Sequence, residues 1–386
     1  MQYKPFHLFF IIFFLFGHLA AAQENIGSSS TAKVSSPSIG ANNQVTFNLV
    51  APHATKVHVL GNWDNQQHPL TKDNQGVWTY TTPALSADLF LYQFVMDGVK
   101  IQDPLNVFQI RDVGTSFSYF ITEGAQAERY KINDVPHGTV SKRWYPSPTL
   151  NKTRRMTVYT PPNYESGKQQ YPVLYLLHGM GGDEEAWPTL GRATQILDNM
   201  IAEGKVKPMI VVMPNGHTSN EAAPGESQKG IAPVEFRLPD VGSSDMERSF
   251  SDVIAFVETN YRVKKAKSAR AIAGLSMGGS HTLFISSYLN NHFDYIGLFS
   301  AAFKMGNHST SPVYSDFDNN LLKQKKNGYK LYWIGMGKTD FLYQIGVDYR
   351  QKLDNIQMPY TYRESEGGHT WSNWRLYLTE FLPLLF

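Results

Sequence analysis

The stretch Gly274-Leu275-Ser276-Met277-Gly278 follows the apolar run Ala271-Ile272-Ala273 and precedes a helix-like segment over 279–289. A strand that passes into a helix through a single residue must turn sharply, and flanking glycines admit such a turn because they carry no β-carbon to collide with it. The spacing therefore predicts Ser276 at the tip of a tight elbow, its hydroxyl raised above a sheet edge. Around this point strand-like runs at 209–213, 271–274, 296–299 and 331–334 alternate with helix-like runs at 250–260, 279–289 and 374–381. Alternation of this kind predicts an α/β fold, a mostly parallel sheet covered by helices on both faces, with functional groups at the strands' carboxyl ends.

A serine hydroxyl attacks poorly at neutral pH unless a histidine takes its proton and a carboxylate holds that histidine in the right tautomer. On folds of this type the chain order is serine, acid, histidine. The apolar run Leu331-Tyr332-Trp333-Ile334 reads as a buried strand and ends in Gly335-Met336-Gly337-Lys338-Thr339-Asp340. Asp340, on the loop leaving that strand, is the expected acid; Asp348 and Asp354 fall on a helical pattern, and Glu364 and Glu366 lie very close to the expected base. That base is His369, in the tight loop Glu366-Gly367-Gly368-His369-Thr370-Trp371.

Backbone N–H groups can stabilise the oxyanion of a tetrahedral intermediate, and losing one such donor slows turnover by roughly 100- to 1,000-fold. One donor is expected at Met277, directly after the serine. The other is expected in the loop His178-Gly179-Met180-Gly181-Gly182 after the buried run Val173-Leu174-Tyr175-Leu176-Leu177, at Met180 with Gly179 as the alternative. His178 is expected to hold this loop by hydrogen bonds and not to act as a second base. Met277, Phe341, Leu342 and Trp371 flank these positions and suit either an acyl pocket or simple packing. The Gly- and Ser-rich stretch 215–245 has neither helical nor strand period and is expected to border that pocket.

Several of these stretches occur together in a known family. Residues 135–386 resemble the esterase D-type α/β hydrolases grouped as carbohydrate esterase family one, which includes feruloyl and acetylxylan esterases. The matching stretches are Arg154-Arg155-Met156-Thr157-Val158-Tyr159-Thr160-Pro161-Pro162, His178-Gly179, Met213-Pro214-Asn215-Gly216, the Ser276 elbow, the residues from Gly337 to Asp340, and Gly368-His369-Thr370-Trp371. The resemblance implies an α/β-hydrolase fold and a serine esterase that needs no metal or organic cofactor. It also implies a feruloylated or acetylated plant polysaccharide or oligosaccharide as partner, with ferulate or a related hydroxycinnamate on cell-wall xylan as the leading substrate. Acetylxylan esterase, esterase of a cyclic triserine siderophore, mycolyl-type acyltransferase and non-catalytic glycan-binding protein remain open alternatives at this point.

The N-terminal part follows a different period. Val45, Phe47 and Leu49 alternate with polar residues, Val57 and Val59 flank His58, and Phe90, Tyr92, Phe94 and Met96 form another alternating set between turn signals. This pattern predicts a small all-β sandwich. Residues 37–123 resemble the immunoglobulin-like carbohydrate-binding modules of family forty-eight through Ala51-Pro52-His53-Ala54, Gly61-Asn62-Trp63, Gly76-Val77-Trp78, and Asp97-Gly98 with Asp103-Pro104. Trp78, in an alternating strand, is expected in the core. Trp63, in a turn, suits sugar stacking and packing equally, and the module either binds glycan or shapes one wall of the hydrolase cleft. Residues 124–148 are short of regular pattern and contain Pro136, Gly138, Pro146 and Pro148; 124–137 read as a connector and 138–386 as the hydrolase.

Residues 6–16 are almost wholly apolar, preceded by Lys4 and followed by Ala20-Ala21-Ala22-Gln23. This reads as a secretory leader over 1–22, cut near Ala22 and too short for a comfortable membrane span, with a polar linker over 23–36. The chain has no cysteine, so disulfides and thiolate metal sites are excluded, and export without disulfides suits a bacterial periplasm or outer surface. A formal charge of +2 with no long basic run gives no general attraction to nucleic acid. Oligomeric state is not legible here.

Overall fold

The alternating N-terminal strands pair antiparallel throughout and close into two facing sheets in the computed structural model, which describes residues 34–228, 230, 234–236, 240, 242–303 and 310–386. The expected leader and most of the expected linker lie outside the described residues. One sheet runs Ser38–Ile39, Val45–Val50, Val77–Thr81, Thr71–Lys72; the other runs Gln67–Pro69, Val57–Gly61, Leu89–Met96, Thr115–Ile121, Gln109–Asp112, with Val99–Ile101 also paired to Leu89–Met96. Phe47, Val59, Trp78, Phe90, Tyr92, Phe94 and Phe120 fill the space between them. Trp78 is part of this core and its indole N–H donates to the Ala51 carbonyl at 2.9 Å.

Strand Leu89–Met96 is buried almost throughout, because both of its faces are covered. Successive side chains of a strand point to opposite sides. Phe90, Tyr92 and Phe94 enter the sandwich core, whereas Leu89 and Leu91 pack with Ile110, Trp187, Leu190 and Trp374 into a second core shared with the following α/β region. Sandwich and α/β region therefore lie within one compact unit, Ser36–Phe386.

The α/β region has an α/β-hydrolase fold. Its sheet contains β1 (Thr139–Ser147), β2 (Lys152–Thr160), β3 (Val173–Leu177), β4 (Ile210–Pro214), β5 (Arg270–Leu275), β6 (Tyr295–Phe299), β7 (Leu331–Gly337) and β8 (Thr361–Ser365), in the order β1-β2-β4-β3-β5-β6-β7-β8. The β1–β2 and β2–β4 pairs are antiparallel and the rest are parallel. Every residue of β3, β4 and β6 is buried, as continuous apolar runs in a parallel sheet require. The main helices are α1 (Ala193–Ala202), α2 (Asp245–Asn260), α3 (Met277–Tyr288), α4 (Phe317–Asn327), α5 (Tyr343–Asn355) and α6 (Trp371–Phe381). Val173, Tyr175 and Ile272 pack with Phe250 and Val253 of α2, while Leu174, Leu176, Ala271 and Ala273 pack with Ile196 of α1 and Tyr377 and Phe381 of α6.

One segment departs from the sequence reading. Within the stretch 124–148, read as short of regular pattern, nine residues form β1 and pair along their full length with β2. Pro146 is tolerated because β1 is the sheet's edge and no neighbour needs its missing N–H. No helix among the described residues is long and apolar enough to cross a membrane.

A buried ion pair crosses the junction between sandwich and sheet. Arg375 of α6 donates to Asp88 Oδ1 at 2.9 Å, to the Leu89 carbonyl at 3.0 Å and to the Leu190 carbonyl at 2.9 Å, with its guanidinium over the Tyr130 ring. Both charged side chains are almost fully buried. Asp88→Ala should cost about 3–5 kcal/mol, because it leaves a guanidinium enclosed without its anion. Denaturant unfolding measures this, and a loss under about 1 kcal/mol would show that the pair is dispensable.

Candidate active site

Ser276 caps the N-terminus of α3 with φ 52° and ψ −115°, so the strain of the turn sits on the serine itself. The sequence reading placed the need for conformational freedom at the flanking glycines. Neither Gly274 nor Gly278 has a positive φ. They are glycine because of close approach: a β-carbon on Gly274 would lie 2.3 Å from the Gly278 carbonyl oxygen, and one on Gly278 would lie 2.3 Å from that of His178. The Ser276 N–H donates to the Phe299 carbonyl at 2.9 Å and the Ser276 carbonyl accepts from Ala302 at 3.0 Å, which pins the elbow to the end of β6.

Asp340 follows β7 and His369 lies between β8 and α6. The His369 Nδ1 sits 3.1 and 3.0 Å from the two Asp340 carboxylate oxygens. Asp340 is buried and also accepts the Leu342 N–H at 2.8 Å. Burial pushes its carboxyl up, but the bonds from His369 and Leu342 outweigh that and hold it below the ordinary carboxylate value. A charged, fixed Asp340 commits Nδ1 to donating and leaves Nε2 as the acceptor. The imidazole is further confined between the Phe341 ring at 4.5 Å and the Trp374 ring at 5.0 Å. The other carboxylates weighed in the sequence go elsewhere: Asp348 and Asp354 ride on α5, Glu364 accepts from Tyr343 and Tyr362, and Glu366 pairs with Lys338.

Ser276 and His369 line the same cavity, of about 940 Å³. No hydrogen bond joins the serine hydroxyl to the imidazole in this structure. Such contacts are often long until substrate is held.

The loop after β3 also opens on this cavity through Gly179, Met180 and Gly182. His178 is buried; its Nδ1 donates to the Gly179 carbonyl at 2.8 Å and its Nε2 accepts from Gly216 at 2.7 Å. Burial first, and then the neighbouring His217 imidazole, push His178 down to about 3, so it stays neutral. His217 Nε2 accepts the Gly181 N–H at 3.2 Å. Among the described residues, neither the Met180 nor the Met277 N–H donates to a backbone carbonyl.

Of the expected contact residues, Phe341, Leu342 and Trp371 line the cavity. Trp63 does not: its ring stacks on Phe47 at 5.5 Å and packs into the sandwich's own aromatic core. A β-carbon on Gly61 would meet that ring at 1.8 Å, which explains the Gly61-Asn62-Trp63 motif as packing. The Met277 side chain is buried away from the cavity. Phe236, from the 215–245 stretch, lines it. The sandwich supplies the opposite wall, one of the two roles the sequence left open for it, through residues that sequence reasoning did not name, such as Asn62, Leu91, Lys100, Asp112 and Phe117. The one available signal was the strand Leu89–Met96, whose second face carries Leu89, Leu91 and Val95 and is broken only by Gln93.

Comparison with known proteins follows the same division. Residues 147–385 match the Esterase family profile, and residues 32–108 match carbohydrate-binding module 48, the isoamylase N-terminal domain. An endo-1,4-β-xylanase/feruloyl esterase of Xylanibacter ruminicola is 33% identical over 274 residues, covering 68% of this chain and 36% of that protein. The chain thus spans little more than a third of that relative's length. Among solved structures, a ferulic acid esterase is 26% identical with a TM-score of 0.52, over 64% of this chain and 97% of the other. The enterobactin esterase of Shigella flexneri, 16% identical, matches with a TM-score of 0.65 over 90% of this chain and 95% of the other, so the likeness in fold extends into the sandwich.

His178 gives a pH test. Its folded pKa lies below the usual imidazole value of about 6.5, so the unfolded chain binds the extra proton. The stability this contributes is present above about 6.5 and is lost as pH falls toward about 3. His178→Gln can keep both hydrogen bonds without titrating. Its unfolding midpoint should fall less steeply than the parent's between those limits; parallel profiles would mean that His178 is protonated in the fold.

Proposed function

The chain belongs to the Esterase family, and from that premise we propose that it is a serine carboxylic-ester hydrolase in which Ser276, His369 and Asp340 form the catalytic triad. His369 Nε2 takes the Ser276 proton as the hydroxyl oxygen attacks the ester carbonyl carbon. Asp340 steadies the imidazolium, and the N–H groups of Met277 and Met180 hold the oxyanion. Collapse of the intermediate breaks the ester C–O bond, and the alcohol departs with the proton from His369. Water then attacks the acyl-serine by the same route and frees the acid. The observation that carries this reading is one cavity holding both the strained Ser276 and the Asp340-bound His369.

The substrate we propose is a hydroxycinnamoyl ester, ferulate first, on plant cell-wall xylan, cleaved by an exported enzyme. The relative described as a xylanase/feruloyl esterase supports it. So does the cavity, whose hydrolase side presents the flat or apolar surfaces of Leu190, Leu342, Phe341 and Trp371 to an acyl group. A siderophore ester is the second reading, resting on the fold match to the enterobactin esterase that includes the sandwich.

Ser276→Ala should abolish turnover of an activated aryl ester with the fold intact, and Asp340→Asn should lower kcat about 10⁴-fold. Near-parental rates in either variant would refute the assignment of that residue. Side-by-side rates on methyl ferulate, methyl p-coumarate, acetylated xylan and a cyclic triserine siderophore should favour the two cinnamates. Preference for either of the others would replace the substrate proposed.

A further inference from the structure

We propose that the sandwich positions the oxyanion loop, through Arg111 and Val113. This rests on the reading above, in which Met180 supplies one oxyanion donor. The loop His178-Gly179-Met180-Gly181-Gly182 is rich in glycine and intrinsically free to take many conformations, whereas an oxyanion donor works only if it is fixed before the reaction. From the hydrolase side it is held by His178, by His217 and by the turn bond from Gly182 to the Gly179 carbonyl at 3.1 Å. From the other side it meets the sandwich.

The contact is a two-residue hairpin, Val113-Gly114, joining Gln109–Asp112 to Thr115–Ile121. Val113 has φ 52°, a conformation that a β-branched residue adopts only when its surroundings impose it. The two-residue turn demands it at this position, and Arg111 braces the turn: Nη1 donates to the Val113 carbonyl at 2.9 Å while Nη2 donates to Asp183 Oδ2 at 2.7 Å. Asp183 is buried, directly follows the glycine loop, and accepts the Glu185 N–H at 3.0 Å on its other oxygen. One guanidinium thus ties the strained hairpin to the loop's end. The Val113 side chain packs against the loop's middle, where a β-carbon on Gly181 (φ 74°) would lie 2.9 Å from Val113 Cγ2. Met180 lies between that contact and Gly179, which itself abuts Leu275 and Ser276.

Strain concentrated in a hairpin that touches catalytic backbone argues for positioning and against decoration. Arg111 and Val113 reach the chemistry through Gly181 and Asp183, so their loss should appear in kcat, including on substrates too small to need the sandwich. The test measures kcat, KM and unfolding midpoint for Arg111→Gln, Val113→Gly and Ser276→Ala with p-nitrophenyl acetate. Arg111→Gln should lower kcat about 10- to 100-fold with KM little changed, as expected for donors displaced by an ångström or less. Val113→Gly relieves the backbone strain, so its unfolding midpoint should hold or rise while kcat falls; a merely structural role would move both downward together. If both variants keep kcat within about twofold of the parent while Ser276→Ala is inactive, the positioning role is wrong and the triad stands. If Val113→Gly loses stability and activity in proportion, the positioning role is also wrong. Turnover retained by Ser276→Ala would overturn the underlying reading and this inference with it.

Discussion

The first turn of α3 and the end of β3 touch backbone to backbone. A β-carbon on Gly278 would lie 2.3 Å from the His178 carbonyl oxygen and 2.5 Å from that of Leu177, so no other residue fits there without moving one element off the other. The same closeness recurs one residue further along, where a β-carbon on Gly179 would lie 2.6 Å from Leu275 Cδ1 and 3.3 Å from Ser276 Cβ. The Ser276 elbow and the loop proposed to hold the oxyanion are therefore one packed object. Parallel pairing of β3 with β5 sets their height, Leu177 opposite Gly274, and the glycines let them meet at that height. The strained φ of Ser276 follows from this clamp, since the chain must leave β5 and enter α3 within one residue.

Charge then anchors that object outward. Asp183, Glu184 and Glu185 follow the loop directly and diverge. Asp183 takes Arg111 of the sandwich; Glu184, fully buried, takes Arg155 at 2.6 Å, the Asn215 amide at 3.0 Å and the Ala223 N–H at 2.8 Å; Glu185 takes Arg155 at 3.0 Å and Lys142 at 2.5 Å. Buried ion pairs add little net stability over an apolar substitute, but an unpaired partner is costly, so they select one arrangement against its alternatives. Here that arrangement fixes the glycine loop, the start of the 215–245 stretch and the sandwich hairpin together.

Much of this was legible because the physics is local. An interior parallel strand has to be apolar on both faces, so β3, β4 and β6 appear as unbroken runs, and functional residues collect just after such runs. Asp340 was singled out this way and His369 by its tight glycine loop, and the structure brings the two into contact. What could not be read depended on partners distant in sequence. Nothing local distinguishes a tryptophan that stacks on a ligand from one that stacks on Phe47, so Trp63 was undecidable until the core was seen. The edge strand β1, with Pro146 and alternating exposure, resembles a connector because half of it faces water. Helix α4 buries only Asn320, Leu321 and Gln324, too few apolar positions to leave a periodic trace.

The sandwich is the largest case of this kind. A module that met its ligand far from the hydrolase would keep a polar outer face on the strand nearest it. Leu89–Met96 instead buries leucines on that face, and burying them pays only if the hydrolase is always present to cover them. The guanidinium of Arg375 makes the same demand, since its anion and one of its carbonyl acceptors come from that strand and the residue before it. Once docked, the sandwich brings Asn62, Lys100 and Asp112 to a cavity whose other wall is largely apolar, and burial pushes the Asp112 carboxyl up against the pull of Arg111. The sandwich side of the cavity is thus the richer in polar and charged groups and the hydrolase side the more apolar, with Ser276 opening between them.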